Sequence, residues 1–316
     1  MSAPARMSRG DYLCALGAVV VWGLNFVVMK FGLQGLSPMM LGAMRFAAAS
    51  LPFLPFVRLP HVPWRFVVIY GLVQGVGQFG LLFTGLKLGM TAGVASVVMP
   101  TQSFFTMILA VALLGEHTRI QQWLGLLVAG FGLALIGSAH GEGPGQMTLI
   151  GFVLTLGAAV MWAITNVVVR FAGRVAADYD PFAFVVWTSI VPVVPFLALA
   201  AATEGPDHAW RSVSQMGARD GLAVLYLGLL ATLLAYTLWT RLLKRHPASR
   251  VAPFALLGPI VGLWAAWAAF GEQLSTAQWI GASAVLLGLV INQLGLRQPS
   301  RTSDGSARGL HGDSSS

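Results

Sequence analysis

The residues in this sequence best suited to hold a small molecule are uncharged. Asn25 follows Trp22 by three positions, and Thr165 and Asn166 follow Trp162 by three and four. That spacing puts each polar side chain on the helix face of its tryptophan. Gln74 and Gln78 lie four apart, Thr101, Gln102 and Ser103 form a polar triplet, and Tyr236 and Thr237 come later, all inside apolar stretches. Amides and hydroxyls offer donors and acceptors without charge, which suits the ammonium and carboxylate of a small zwitterion. Read one at a time, each amide also fits a plainer role, tying neighbouring helices by hydrogen bonds.

Catalysis would need a general base, a metal set or an activated nucleophile. All eleven Asp and Glu residues and all six His lie outside the centres of the apolar stretches. No GxxxxGK[ST] loop is present, so ATP hydrolysis on this chain is not expected. The GxGxxG match from Gly75 to Gly80 lacks the strand–turn–helix setting that a dinucleotide site requires, and it reads as close helix packing. Gly17, Gly125, Gly130 and Gly132 carry the same expectation. Neither a metal nor a cofactor is called for, and no ATPase subunit is implied.

The elements that position these residues follow from composition. Hydrophobic residues make up 56% of the chain, charged residues 9%, and mean hydropathy is +0.75. Soluble domains carry about 25% charge, so the solvent here is a lipid bilayer. The net charge of +8 could suit nucleic acid, but no basic patch with interleaved aromatics accompanies it. Ten stretches are long enough to span, at roughly 11–32, 37–57, 65–87, 92–114, 121–139, 149–170, 180–202, 220–243, 251–270 and 277–296. The run after the basic segment 1–10 has no small-residue cleavage site and reads as a retained helix. Residues 298–316, rich in Ser and Gly, read as a disordered cytoplasmic tail.

Lys and Arg mark the cytoplasmic loops. With ten spans and a cytoplasmic N-terminus, fourteen basic residues fall inside and four (Lys30, Lys87, Arg211, Arg219) fall outside. Both termini are therefore expected in the cytoplasm. The remaining basic residue, Arg45, lies within the second span, roughly 12 Å deep at the helical rise. It reads either as a contact for a substrate carboxylate or as a side chain snorkelling to the interface or bound to helix-end carbonyls.

The halves repeat. Trp22, Val27, Val28, Lys30 and Phe31 recur 140 residues later as Trp162, Val167, Val168, Arg170 and Phe171, and Pro52 and Pro55 recur as Pro192 and Pro195. At an offset of 156, Gly115, Glu116, Gln122, Trp123, Gly125 and Gly132 recur as Gly271, Glu272, Gln278, Trp279, Gly281 and Gly288. Units of five spans each enter the membrane in opposite directions, an inverted repeat as in many secondary transporters. The expected fold is an all-α polytopic membrane protein of ten transmembrane helices in two inverted five-helix repeats, 11–140 and 148–297. Pro100, Pro253 and Pro259 interrupt spans four and nine, where freed carbonyls can line a midplane site.

These features carry a resemblance. WGLNFVVMKFG in the first span, MRFAAAS in the second, the Gly-Glu pairs after spans four and nine, and RVAPFALLGPIVG leading through span nine resemble the EamA branch of the drug/metabolite transporter superfamily over roughly Ser8–Arg297. Within it the chain is most similar to bacterial exporters of amino-acid metabolites. The resemblance implies a multi-pass exporter of the bacterial inner membrane, with a central cavity lined by spans 1, 3, 4, 6, 8 and 9. Of the polar residues, Trp22, Asn25, Gln78, Gln102, Trp162, Asn166 and Tyr236 fall to that cavity as candidate substrate-binding groups. The expected activity is export of cysteine, O-acetylserine or a related metabolite by alternating access. An aromatic amino acid, a purine or a drug on the same scaffold is the second reading, and a non-transporting scaffold or lipid-modifying protein the third. No buried carboxylate relay is visible, so proton coupling would have to use Asp11, Glu116 or the substrate itself.

Overall fold

The computed structural model describes residues 7–141, 146–176, 179–246 and 248–297. The expected tail 298–316 and residues 1–6 lie outside the described residues. Among the described residues the secondary structure is all helical, and nine helices are long and apolar enough to cross a membrane. These are α1 (Arg9–Gly35), α3 (Trp64–Lys87), α4 (Ala92–Leu114), α5 (Ile120–Ser138), α6 (Leu149–Val175), α7 (Pro181–Glu204), α8 (Ala218–Leu243), α9 (Arg250–Phe270) and α10 (Thr276–Leu294). Between α1 and α3 lies the shorter α2 (Pro38–Ser50).

The second stretch, expected as one helix over 37–57, is therefore corrected. Its regular helix stops at Ser50 and the chain continues in turns through Phe56. Pro52 and Pro55 have no N–H to give to the helical ladder. The path is held instead by tighter bonds, Phe53 N–H to the Ser50 carbonyl and Phe56 N–H to the Phe53 carbonyl, each 2.9 Å. Pro192 interrupts α7 similarly, with turns at Val191 and Pro192 before the helix resumes at Val193. A short helix, Pro206–Ser214, occupies part of the loop before α8.

Local chemistry sets the helix ends. Ser8 and Asp11 form a reciprocal capping box on α1, Ser37 caps α2 with Pro38 in its first turn, and Asp180 caps α7 ahead of Pro181. Both α4 and α9 stop at a glycine in the left-handed region, Gly115 at φ 65° and Gly271 at φ 64°. Side chains with a Cβ adopt that conformation rarely, so the two Gly-Glu pairs have the same geometric job.

Helices α5 and α10 cross antiparallel at four glycines. A Cβ on Gly125 would lie 2.6 Å from the Gly288 carbonyl oxygen, and one on Gly132 would lie 2.5 Å from that of Gly281. The packing expectation holds there and fails at Gly17 and Gly130, where a Cβ meets nothing within 4 Å. It also holds in the GxGxxG stretch, where Gly75 lies against the Pro192 ring and Gly77 against Met161.

Two stretches depart from α-helical spacing. Gly71–Phe79 in α3 and Tyr226–Leu234 in α8 are π-helical. Such wide turns are rare and gather at functional sites. They start 155 residues apart and face the same region of the bundle. Pro100 sits in a 3₁₀ turn (Met99–Thr101) within α4, and α9 breaks at Leu256, three residues before Pro259.

Candidate functional site

A cavity lies between α2, α3, α7 and α8. It is lined by Arg45 and Phe46, by Tyr70, Gln74 and Phe79, by Thr188 and Ser189, and by Thr232 and Tyr236. Both π-helical stretches contribute to it. The α7 residues come from the turn just before Pro192, whose missing N–H leaves the Thr188 carbonyl without its helical partner.

Arg45 dominates this cavity. Its side chain is 2% exposed, so it neither snorkels nor reaches helix-end carbonyls. Of the two readings of Arg45, burial this deep removes the snorkelling one. Thr232 Oγ1 accepts from Nε at 3.3 Å and from Nη2 at 3.0 Å, while Nη1 has no hydrogen-bond partner. The Phe79 ring covers one face of the guanidinium, 3.8 Å from Cζ, and Phe46 lies at 5.5 Å. Thr232 is itself fixed, donating to the Leu227 carbonyl five residues back at 2.8 Å. Among the described residues no carboxylate pairs with Arg45.

The expected site residues fall into three groups. Tyr236 belongs to the cavity: its hydroxyl accepts from Gln74 Nε2 at 3.0 Å. Trp22 packs behind it, with ring centroids 5.4 Å from Tyr236 and 5.3 Å from Trp239, and its Nε1 donates to the Ala231 carbonyl at 3.1 Å. These rings form an aromatic wall that joins α1 to α8. Asn166 and Gln102 form a second group between α4 and α6. Asn166 Nδ2 donates to Gln102 Oε1 at 2.6 Å and Thr106 Oγ1 at 3.1 Å, and Thr106 donates to Gln102 at 3.1 Å. The Gln102 oxygen and the Asn166 NH₂ group are thus paired with each other. Trp162 packs against the main apolar core.

Asn25 and Gln78 form the third group, buried with an unpaired oxygen each, Asn25 Oδ1 and Gln78 Oε1. Asn25 Nδ2 reaches Met29 Sδ at 3.9 Å, one turn along its own helix. No hydrogen bond joins Asn25 to Asn166. Buried unpaired acceptors are uncommon, and neither residue lines the cavity around Arg45.

Two ion pairs close the ends of the helices that carry these groups. Lys30 Nζ of α1 lies 2.7 Å from Glu272 Oε1 at the end of α9. The same carboxylate accepts from the N–H groups of Ala92 (3.0 Å) and Gly93 (2.9 Å) at the start of α4, where the helix dipole favours negative charge. At the corresponding position of the equivalent helix, Arg170 of α6 grips both oxygens of Glu116 at 2.7 Å, beyond α4. The Glu272 side chain is 6% exposed, against 44% for Glu116. Beneath the more buried pair, Val27, Ala92, Ala265 and Ala266 pack together, and the Phe31 and Phe270 rings meet at 4.7 Å.

The family model described as the EamA-like transporter family matches residues 10–138 and 149–293. The chain belongs to that family. It is 40% identical over 291 residues to the "Probable amino-acid metabolite efflux pump" of Salmonella typhimurium strain LT2, covering 92% of this chain and 97% of that protein. Its likeness to the protein of the same name from Escherichia coli K12 is 37% over 293 residues, with the same coverages. The "Uncharacterized inner membrane transporter YedA" of E. coli K12 is 24% identical over 283 residues, 87% of this chain and 88% of that one. A solved crystal structure shares the fold at a TM-score of 0.61 and 21% identity, covering 94% of this chain and 100% of that one. This EamA-like chain is accordingly a multi-pass membrane transporter.

Sequence reasoning on this EamA-like transporter missed the company that Arg45 keeps. Thr232, Tyr70, Thr188 and Ser189 carry no distinctive spacing. The available signal was Arg45 itself, the one charge deep in an apolar stretch, which by default marks a functional site.

Proposed function

We propose that the protein exports small amino-acid metabolites, cysteine, O-acetylserine or close relatives, from the cytoplasm by alternating access and leaves them chemically unchanged. The observation that carries the reading is the nearly full-length likeness to two efflux pumps named for amino-acid metabolites. Nothing in the cavity resembles acid–base or nucleophilic machinery. Its chemistry is an arginine fork, one amide, hydroxyls and aromatic walls, which suits a zwitterion held by one end and shielded along its length. The lone arginine, with no acid opposite, weighs against a cationic cargo.

The mechanism rests on two inverted five-helix units, with α2 and the turns after it as the tenth crossing. Four features support that symmetry. The family model matches two separate ranges. The π-helical stretches and the left-handed glycines occur in pairs. The α5–α10 crossing exchanges Gly125–Gly288 with Gly132–Gly281, as a two-fold axis between antiparallel helices requires. The ion pairs join repeat-related residues crosswise, Lys30 with Glu272 and Arg170 with Glu116. Under the expected topology, with both termini cytoplasmic, the first pair is the outer latch and the second the inner one. Rocking of one unit against the other then closes one as it opens the other.

Counterflow of labelled cysteine or O-acetylserine in proteoliposomes tests this reading. Wild-type protein exchanges them, and folded Asn25→Ala and Asn166→Ala variants lose about tenfold, the worth of one hydrogen bond to a charged group. Unchanged flux in both variants would remove the amides from the site, and no exchange of any amino acid would remove the cargo. Repeating the assay under a pH gradient separates proton-coupled from facilitated transport.

A further inference from the structure

We infer that the Arg45 cavity is a carboxylate-binding subsite, in which the free edge of the guanidinium takes a planar carboxylate between α2, α3, α7 and α8. The inference rests on the transport reading for the identity of the cargo, and on geometry for the site.

A charge this deep in an apolar bundle normally has a partner. Arg45 is 2% exposed and makes no ion pair among the described residues. Thr232 occupies the Nε side, and Nη1 donates to nothing. Phe79 blocks one face of the ring plane. The stack on Phe79 is a favourable cation–π contact, but it leaves the in-plane donors of Nη1 unsatisfied, and only an acceptor can answer them. The uncommitted part is thus the Nη1–Nη2 edge, whose parallel donors match the two oxygens of a carboxylate. Stacking fixes the plane, which favours a flat carboxylate over a tetrahedral phosphate.

The cavity is water-sized in this form, about 10 Å³, so a carboxylate enters only as the helices around it part, but the groups about the guanidinium are already held in place. Thr232 is held by the Leu227 carbonyl, so the guanidinium cannot turn freely. Tyr236 accepts from Gln74, so its own proton points elsewhere and is free to donate to the carboxylate or to a group beyond it. Behind Tyr236 stands Trp22, one helix turn from the unpaired Asn25 oxygen, which suits an ammonium. An α-amino acid bound by its carboxylate at Arg45 would therefore extend toward the aromatic wall between α1 and α8.

The test is binding to purified full-length protein, read by tryptophan fluorescence and by ligand-induced shift in melting temperature. The probes are L-cysteine, O-acetyl-L-serine, L-serine and propionate, each carboxylate set against its matched amide, with inorganic phosphate as a further arm. Wild-type protein prefers the acids over their amides by about tenfold to a hundredfold, the range of a charge-assisted pair. Arg45→Gln brings that ratio to about one, and Arg45→Lys, which keeps charge and loses the fork, falls between. If Arg45→Gln does not fold, Arg45→Lys and Thr232→Val carry the test, the latter lowering the preference by loosening the guanidinium. A preference unchanged in the folded variants overturns the subsite, as does phosphate binding in place of carboxylates. Arg45-dependent binding of propionate without any amino acid keeps the subsite and overturns the cargo. Amino-acid binding indifferent to Arg45 does the reverse.

Discussion

If Lys30–Glu272 is the outer latch, weakening it must open the outer side, and the geometry sets how far. Glu272 accepts three charge-assisted bonds, from Lys30 Nζ at 2.7 Å and from the N–H groups of Ala92 and Gly93 at 3.0 and 2.9 Å. Glu272→Gln keeps one acceptor oxygen but turns an NH₂ toward one of these donors. Lys30 is 28% exposed and can turn to water, so the loss is smaller than for a fully buried pair, about 2–3 kcal/mol. At about 1.4 kcal/mol per tenfold, that shifts the balance toward the outward-open form by roughly 30- to 150-fold. The assay is labelling of Val27→Cys, with Cys14 replaced by Ser, using a membrane-impermeant maleimide from outside. Val27 is buried directly under the latch, against Ala92, Ala265 and Ala266. Labelling should accelerate by that factor, up to the point at which the open form dominates. Glu116→Gln breaks a pair whose side chains are both 44% exposed. Exposed pairs contribute about 0–1 kcal/mol, so its effect stays below about fivefold and runs the other way. Unchanged labelling in Glu272→Gln, or equal acceleration by Glu116→Gln, would refute the assignment of the latches.

Three further outcomes follow from the same geometry. Exchanging the charges of the exposed pair, Arg170→Glu with Glu116→Arg, should retain most transport, whereas Lys30→Glu with Glu272→Lys should not, because the Ala92 and Gly93 N–H groups need an acceptor; counterflow decides between them. Gly132→Ala, whose Cβ would sit 2.5 Å from the Gly281 carbonyl oxygen, should lower stability by about 1–3 kcal/mol, while Gly130→Ala, which meets nothing, should raise it by up to about 1 kcal/mol in thermal unfolding. Asn25→Leu, which removes a buried unpaired acceptor, should preserve or raise the melting temperature while transport falls; Gln102→Leu, which leaves Asn166 bonded to Thr106 alone, should cost about 0.5–1.5 kcal/mol of stability.

The membrane spans were legible because charge depletion is a property of whole segments and tolerates small errors of position. The Gly-Glu pairs were legible too, since a left-handed helix end leaves few alternatives to glycine. Their partners were not: nothing in the order of residues says that Glu272 closes on Lys30 and Glu116 on Arg170, because that crosswise pairing exists only once the two units are packed. The cavity was the least legible part, and for a definite reason. Gln74 and Gln78, four apart, read as one face of an α-helix. They lie instead in a wider π-helical turn, and there Gln74 meets Tyr236 while Gln78 Oε1 meets nothing. Thr232 lies in the corresponding stretch of α8, and Thr188 and Ser189 just before the break at Pro192. Regular periodicity fails on three of the four helices around Arg45, and the fourth stops regular winding five residues beyond it. A local rule broken once can be an accident of packing, but breaks that converge on one uncompensated charge are what a binding site requires. Each departure turns side chains or backbone groups inward that an ideal helix would have spent on itself, and the arginine at their centre is the group for which an arriving anion would complete the structure.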